Sequence, residues 1–246
     1  MADIFEHLLV LGRPAGGKSE FIDYMQHQAD KRRAERYHLG RLHIADDFPI
    51  LWDYFLDDDV REKHGRPRLY SYAADPGGYT TTDPLIWKLL IDRLNRSVRH
   101  NCLEQPALYH DHTVLVEFSR GTEQGYRGAL DALDPEILAR GVILYIAVSF
   151  EESWRRNVAR YDQKRRAGIL THMVPREGME RIYGQDDWFE LATETAGYLQ
   201  IGAVRVPYVT MDNEKESTDP AVLDERYGTA LGELWNLRQE PSQKMP

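Results

Sequence analysis

A glycine-rich turn near the amino terminus constrains the fold of this chain more than any other segment. Residues 7–25, HLLVLGRPAGGKSEFIDYM, pass from a short apolar stretch through glycines at 12, 16 and 17 to Lys18 and Ser19. The spacing G-x-x-x-x-G-K-S requires a turn so tight that successive backbone N–H groups point into one concave space, at the positive end of the following helix. The segment therefore predicts a strand, a phosphate-binding turn and a helix in that order.

We expect this turn to bind the phosphates of a nucleoside triphosphate. Lys18 would reach the β- and γ-phosphates, and the Ser19 hydroxyl would be a ligand of Mg²⁺. The residues expected to bind the nucleotide are Gly12, Pro14, Ala15, Gly16, Gly17, Lys18, Ser19 and Glu20. A structural turn that matches the pattern by chance is the alternative, but the apolar strand before it and the helical pattern after it favour the functional interpretation. The predicted cofactors are ATP and Mg²⁺.

Apolar runs with strand character alternate with helical patterns along the rest of the chain. The predicted strands are residues 7–12, 41–45, 113–118, 142–150 and 204–211, and the predicted helices are residues 18–36, 84–100, 125–140, 151–167, 186–200 and about 220–238. Strands that alternate with helices form parallel sheets covered on both faces. The predicted fold is therefore α/β, a three-layer P-loop NTPase fold with a central parallel sheet, formed by residues 1–246 as a single domain.

Two intervals, about 49–112 and about 155–187, are longer than a crossover between strands requires. Insertions at the carboxyl ends of parallel strands are common places for substrate binding. We therefore expect both intervals to take part in substrate binding. Within the first interval, Tyr79 and Trp87 could flank an acceptor that carries a ring.

The composition limits the classes of partner. The net charge of −9 disfavours nucleic acid without excluding it, since positive charge occurs only in local clusters such as residues 155–166. A single cysteine, Cys102, rules out an internal disulfide framework. The first apolar stretch is too short to span a bilayer and lacks the positive flank of a signal peptide. We expect a cytoplasmic protein with no membrane partner.

Four segments together resemble the nucleoside monophosphate kinase-like group of P-loop proteins, of which adenylate kinase is the familiar member. They are GRPAGGKS (12–19), with proline in third place, HIADDF (43–48), VEFSRG (116–121) and VSFEESWRRNVARYDQKRR (148–166). The resemblance implies an acceptor-binding insert at about 49–112 and a lid at about 155–187. It also implies a phosphate-binding arginine after the third strand and an arginine-bearing lid helix. The chain departs from the group at Glu117-Phe118, where the group has Asp-Gly, and its insert has no recognised signature, so the acceptor stays open.

Glu117 ends a buried strand beside the turn. It could hold Mg²⁺, directly or through water, or accept the proton of an acceptor hydroxyl. The alternative is a strand-end carboxylate that only caps or pairs, but a buried charge at this place is costly without a partner. We predict that Glu117 and Ser19 are the protein's ligands for the metal.

The remaining candidates for catalysis are charged residues that follow other strands. Asp46 and Asp47 could orient an acceptor hydroxyl, or could instead cap the next helix. Arg120 could bind an acceptor phosphate with both arms of its guanidinium, or form a surface ion pair. Arg156 and Arg160 share a helix face and could close over the transferring group, although a solvated helix face is the ordinary interpretation of such a run.

These features favour an ATP- and Mg²⁺-dependent phosphotransferase that acts on a small-molecule acceptor such as a nucleotide, a nucleoside or another metabolite. The alternatives are a nucleotide-dependent switch or binding module and a kinase for polynucleotide ends. The residues predicted for catalysis are Lys18, Asp46, Asp47, Glu117, Arg120, Arg156 and Arg160. The sequence leaves open the acceptor, the choice between ATP and GTP, and the oligomeric state.

Overall fold

One six-stranded sheet organises the protein, whose computed structural model describes residues 3–74, 78–166 and 174–240. The strands are β1 (His7–Gly12), β2 (Arg41–Asp46), β3 (Ser71–Ala74), β4 (Gly78–Thr81), β5 (His112–Phe118), β6 (Gly141–Ala147), β7 (Ala196–Ile201) and β8 (Val204–Asp212). The order across the sheet is β2-β5-β1-β6-β8-β7, and β3 and β4 form a separate hairpin. The glycine-rich turn therefore leaves the sheet at its centre, from β1.

Helices cover both faces of this sheet. They are α1 (Lys18–Gln26), α2 (Asp30–Tyr37), α3 (Phe48–Lys63), α4 (Leu85–Val98), α5 (Gly125–Ala132), α6 (Pro135–Ala139), α7 (Phe150–Arg166), α8 (Arg176–Tyr183), α9 (Trp188–Leu191) and α10 (Pro220–Gln239). A π-helical turn at Arg99–Leu103 and a 3₁₀ turn at Pro106–His110 connect α4 to β5. Within the described ranges, no helix is long and apolar enough to cross a membrane.

The alternation of side chains along β1 divides the core into two apolar layers. Leu9 and Leu11 pack with residues of α4 and α5 on one face. Leu8 and Val10 pack with residues of α1 and α10 on the other face. All four side chains are fully buried, as expected for a central strand of a sheet covered on both sides. The three-layer α/β fold predicted from the sequence is confirmed.

The register of the parallel strands brings their carboxyl ends to one edge of the sheet. Val10 of β1 lies opposite Glu117 of β5, which in turn lies opposite Asp46 of β2. Strands β1, β2, β5, β6 and β8 all pair in parallel. The turn after β1 and the carboxylates that end β2 and β5 are therefore neighbours because of the topology.

Several predicted elements have different limits. The predicted helix 18–36 is divided into α1 and α2, and the predicted helix 125–140 into α5 and α6, where Asp134 caps α6 and Pro135 opens it. The predicted strand 142–150 ends at Ala147, and Phe150 begins α7. The last residue of the predicted helix 151–167 lies outside the described residues.

The predicted helix 186–200 is wrong over most of its length. Only Trp188–Leu191 is helical, and Ala196–Ile201 forms β7, which pairs antiparallel with β8. The apolar spacing fits a helix locally, but pairing with the exposed edge of β8 satisfies the backbone groups of this segment and overrides that preference. The sheet is therefore mostly, rather than entirely, parallel.

The interval 49–112 contains α3, the β3–β4 hairpin and α4. The hairpin was not predicted, and one carboxylate ties it to α3. Asp58 accepts hydrogen bonds of 2.7–2.8 Å from the backbone N–H groups of Leu69, Tyr70 and Ser71, and a further bond from the Ser71 hydroxyl. These bonds fix the start of β3 and, through its pairing with β3, the position of β4, whose residues Tyr79 and Thr81 line the cavity described below.

Candidate active site

The backbone of the glycine-rich turn depends on glycine at both of its ends. Gly12 has φ of +147° and Gly17 has φ of +109°, a region that side chains strongly disfavour. A Cβ atom at Gly12 would lie 2.5 Å from the carbonyl oxygen of Ile146, and one at Gly17 would collide with the side-chain amide of Asn213. The two glycines of the sequence pattern therefore permit both the curvature of the turn and its close packing against β6 and β8.

Lys18 is buried at the centre of this turn, with 6% of its surface exposed. Its Nζ donates hydrogen bonds to the carbonyl oxygens of Gly12 and Arg13, each at 3.0 Å, and to the Ser119 hydroxyl at 2.7 Å. Glu117 lies 3.9 Å away. Burial lowers the pKa of Lys18, and the nearby carboxylates oppose that change.

Two carboxylates lie beside Lys18 at the carboxyl edge of the sheet. Burial raises the pKa of Asp46 to about 6 and that of Glu117 to about 7, while the Lys18 ammonium opposes the rise in both. Glu117 is 9% exposed, and both residues line the same cavity as the turn. A carboxylate whose pKa lies near neutrality is suited to accept a proton at physiological pH.

The same edge offers oxygen ligands that suit Mg²⁺. The Ser19 hydroxyl and the carboxylates of Asp46 and Glu117 line one cavity, and Mg²⁺ prefers such hard oxygen donors. Across the described residues, no group of three or more His, Cys, Asp or Glu side chains is arranged to hold a metal by itself. This partial set fits Mg²⁺, which is commonly held by one or two protein groups together with substrate phosphates and water.

Arg120 and Asp47 form a buried ion pair. Arg120 is 1% exposed, and its Nη1 lies 2.6 Å from an Asp47 carboxylate oxygen. Its other donors bind the Gln124 side chain and the backbone carbonyls of Ser119 and Trp87. The guanidinium is thus engaged on all three nitrogens by the protein, where the sequence suggested an acceptor-phosphate ligand or a surface ion pair.

The two arginines of the predicted lid helix have different environments. Arg160, on α7, is half-buried and lines the cavity. Arg156 lies outside the cavity lining and is bound by Glu152 and by the backbone carbonyls of Asn213 and Glu214. The structure therefore brings Arg160, and not Arg156, to the same space as Lys18. Residues 167–173 of the predicted lid lie outside the described residues.

Three residues that sequence reasoning missed brace the turn. Asn213 donates from its side-chain amide to the Gly16 carbonyl at 2.9 Å, and the Ser153 hydroxyl donates to the Pro14 carbonyl at 2.6 Å. Ser119 accepts from Lys18. Asn213 and Ser119 directly follow strands β8 and β5, so the sequence could have indicated that they lie at the carboxyl edge of the sheet, near the turn. Ser153 lies within α7, and no local pattern indicates its contact with the turn.

One cavity is lined both by the glycine-rich turn and by aromatic side chains, and its volume is about 260 Å³. The turn end is lined by Lys18, Ser19, Asp46, Glu117 and Arg160, among others. We call the far end the aromatic chamber, defined by Trp52, Phe55, Tyr79, Trp87 and Tyr183. These side chains come from α3, β4, α4 and α8, so the chamber is formed by both long intervals identified in the sequence.

The Arg120–Asp47 pair predicts a large effect on stability. Replacing Arg120 by methionine leaves the Asp47 carboxylate buried without its partner, which should lower the free energy of unfolding by about 3–5 kcal/mol. The matched variant Arg160→Met alters a half-buried arginine and should change it by less than about 1 kcal/mol. Urea unfolding of both variants measures the difference, and equal effects would contradict this view of Arg120.

Comparisons with known proteins add little beyond the site itself. No family model matches the chain, and no curated protein sequence matches it. The structure is similar to a gluconokinase from Sinorhizobium meliloti 1021 (16% identity, TM-score 0.43, 95% of each chain covered) and to a sugar kinase from Janibacter sp. HTCC2649 (13% identity, TM-score 0.41, 95% of this chain and 98% of that chain). A third similar structure is the Pnkp1/Rnl/Hen1 RNA repair complex, with 16% identity, a TM-score of 0.39, and coverage of 87% of this chain and 51% of that one. These TM-scores are too low to indicate a function for this chain.

Proposed function

We propose that this protein is an ATP- and Mg²⁺-dependent phosphotransferase that acts on a hydroxyl group of a small molecule. One observation carries the proposal: the lysine and serine of the G-x-x-x-x-G-K-S turn share a cavity with two carboxylates of raised pKa, and aromatic side chains line the same cavity. Phosphoryl transfer requires positioning and neutralisation of charge more than covalent chemistry by the protein. This arrangement supplies both.

The turn and the first residues of α1 are the donor site in this proposal. Backbone N–H groups of Gly17, Lys18, Ser19 and Glu20 bind the phosphates at the amino end of α1, where the helix dipole favours negative charge. Lys18 exchanges its present bonds to loop carbonyls for bonds to the β- and γ-phosphates. Arg160, whose side chain lines the cavity, adds positive charge as the γ-phosphoryl group moves.

The carboxylates are the acceptor side of the reaction. Glu117 accepts the proton of the attacking hydroxyl, and Asp46, its neighbour across β2 and β5, orients that hydroxyl. Ser19 would hold Mg²⁺ directly, and Glu117 or Asp46 would hold it through bound water; the metal would neutralise charge on the transferring phosphates. Enclosure of the acceptor between α3, α4 and α8 excludes water that would otherwise hydrolyse ATP.

The resemblance to the nucleoside monophosphate kinase-like group supports this assignment of roles. Residues 49–112 are then the acceptor-binding insert, and residues 155–187 are the lid. Arg120 departs from the role that the resemblance implies, because its guanidinium is engaged by Asp47 and by backbone carbonyls. The assignment of the donor site does not depend on that residue.

Lys18→Ala tests the donor site. ATP–Mg²⁺ at about 100 times its dissociation constant should stabilise the wild type by about 2.7 kcal/mol, seen as a rise in melting temperature. The variant should lose at least about tenfold in ATP affinity, because it removes a charged group that bonds the phosphates. Lys31→Ala is the matched control, since Lys31 is exposed on α2 and should leave affinity unchanged.

Mass spectrometry of a pooled metabolite library incubated with ATP–Mg²⁺ then tests transfer. A new phosphorylated compound that forms with the wild type and not with Lys18→Ala is the expected result. Stabilisation by ATP without any product would favour a nucleotide-dependent switch or binding module. Capture of oligonucleotides that weakens steeply with salt would favour a polynucleotide-end kinase.

The raised pKa of Glu117 predicts a pH dependence. Because the protonated carboxyl cannot accept a proton, kcat/KM should fall about tenfold for each pH unit below the pKa of about 7, and should level off above it. Glu117→Gln should lower kcat by about 10²–10⁴-fold and remove this limb of the profile. Asp46→Asn is the matched variant and should keep the limb. A limb that persists in Glu117→Gln would assign the base to another group.

A further inference from the structure

We propose that the acceptor is an uncharged alcohol with a flat ring, and that the aromatic chamber holds the ring while the hydroxyl points to Glu117. This inference rests on the proposed phosphotransfer and goes further by naming the chemical class of the acceptor. It excludes phosphorylated acceptors, sugar acids and polyols. Three features support it: the aromatic walls of the chamber, the carboxylates at the turn end of the cavity, and the engagement of Arg120 by other protein groups.

The walls of the chamber are aromatic rings held at fixed angles. The Trp52 and Tyr79 ring centroids are 5.5 Å apart with an interplanar angle of 71°, and those of Phe55 and Tyr79 are 5.1 Å apart. Trp87 and Tyr183 face each other edge-on at 6.1 Å. Rings from four different elements thus give the chamber an aromatic surface, and a guest that carries a ring gains contact energy on such a surface beyond burial alone.

Two polar atoms of these walls, on Trp87 and Tyr79, are engaged by residues outside the chamber. Trp87 Nε1 donates to Glu123 at 2.6 Å, and the Tyr79 hydroxyl donates to Asp59 at 2.5 Å. Neither acidic partner lines the cavity. The walls therefore present mainly apolar surface, where a polyol or a sugar acid would leave its hydroxyl groups without hydrogen-bond partners, at a cost in binding free energy.

The charges at the turn end oppose an anionic acceptor. The carboxylates of Glu20, Asp46 and Glu117 line the cavity, as does Asp47, whose charge is balanced by Arg120. Among the lining residues that the structure describes, the cationic side chains are Lys18 and Arg160, both assigned above to the donor phosphates. A second phosphate or a carboxylate on the acceptor would meet like charge at low dielectric, which is unfavourable.

Arg120 is the arginine that the resemblance assigns to an acceptor phosphate, but its guanidinium is already engaged by other groups of the protein. Its guanidinium carbon lies over two rings, 5.4 Å from the ring centroid of Trp87 and 5.1 Å from that of Phe118. Asp47 neutralises it at 2.6 Å. Arg120 thus supports two aromatic residues of the cavity lining instead of binding an anion.

The transfer step balances with the residues already named. The acceptor oxygen forms a bond to the γ-phosphorus, and the bond from that phosphorus to the β–γ bridging oxygen breaks. ADP leaves with that oxygen, and the hydroxyl proton passes to the Glu117 carboxylate, from which it is lost to solvent. The products are ADP, a phosphate monoester of the ring-bearing alcohol and one proton.

Matched pairs of compounds test the class. Isothermal titration calorimetry and a transfer assay would use four nucleosides and several arylmethanols, each beside its phosphate monoester or carboxylate, with gluconate and glycerol as ringless compounds. At least one neutral ring-bearing alcohol should bind at least about tenfold more tightly than its charged counterpart and yield a phosphorylated product. Tighter binding of the charged counterparts or of the ringless compounds would overturn the inference, as would no binding by any ring-bearing alcohol.

Variants of one wall residue complete the test. Trp52→Leu should weaken acceptor binding at least about tenfold with ATP affinity held within about twofold, and Trp52→Phe should restore most of the loss. Trp235→Leu is the control, since Trp235 is a half-buried tryptophan that stacks on His38 outside the cavity. Equal acceptor affinity in Trp52→Leu and the wild type would overturn the chamber assignment alone, whereas failure of the wild type to bind ATP would overturn the proposed phosphotransfer.

Discussion

The burial of one ammonium group, that of Lys18, is the constraint on which the site depends. An ammonium taken out of water costs several kcal/mol unless oxygen atoms replace its hydration. Here the Gly12 and Arg13 carbonyls and the Ser119 hydroxyl do so, with Glu117 at 3.9 Å. The turn can supply those carbonyls only because Gly12 takes a backbone conformation that side chains disfavour. The same burial lowers the pKa of Lys18 and raises that of Glu117, so that the proposed donor binding and the proposed proton acceptance would have one physical origin.

The second determinant is the Arg120–Asp47 pair, which joins the end of β5 to the start of α3. A buried ion pair is rarely a large net gain in stability, but removing one partner is costly. The pair therefore fixes how α3 is attached to the sheet more than it strengthens the fold. It also changes the chemistry of the cavity, because a guanidinium bound by a carboxylate and by carbonyls offers little to an anionic acceptor. The aromatic chamber and the acidic turn end also offer little to an anionic acceptor.

The sequence predicted those parts of the fold whose signals are local. The apolar runs of β1, β5 and β6 and the glycine spacing of the turn are readable without tertiary contacts, and they placed Lys18, Ser19, Asp46 and Glu117 correctly at one edge. The hairpin β3–β4 and the edge strand β7 were missed because their pairing with other segments, and not their own pattern, decides their structure. The roles of Arg120 and Asn213 depend on partners 73 and 197 residues away, at Asp47 and Gly16, which no local pattern reveals.

The most direct test of the central claim is a crystal structure with a non-hydrolysable ATP analogue and Mg²⁺. The account predicts that Lys18 Nζ leaves the Gly12 and Arg13 carbonyls and the Ser119 hydroxyl and lies within hydrogen-bond distance of the β- and γ-phosphates, with the Ser19 hydroxyl on the metal. A nucleotide bound elsewhere, or a triphosphate in the turn with Lys18 still bonded to the loop carbonyls, would contradict it.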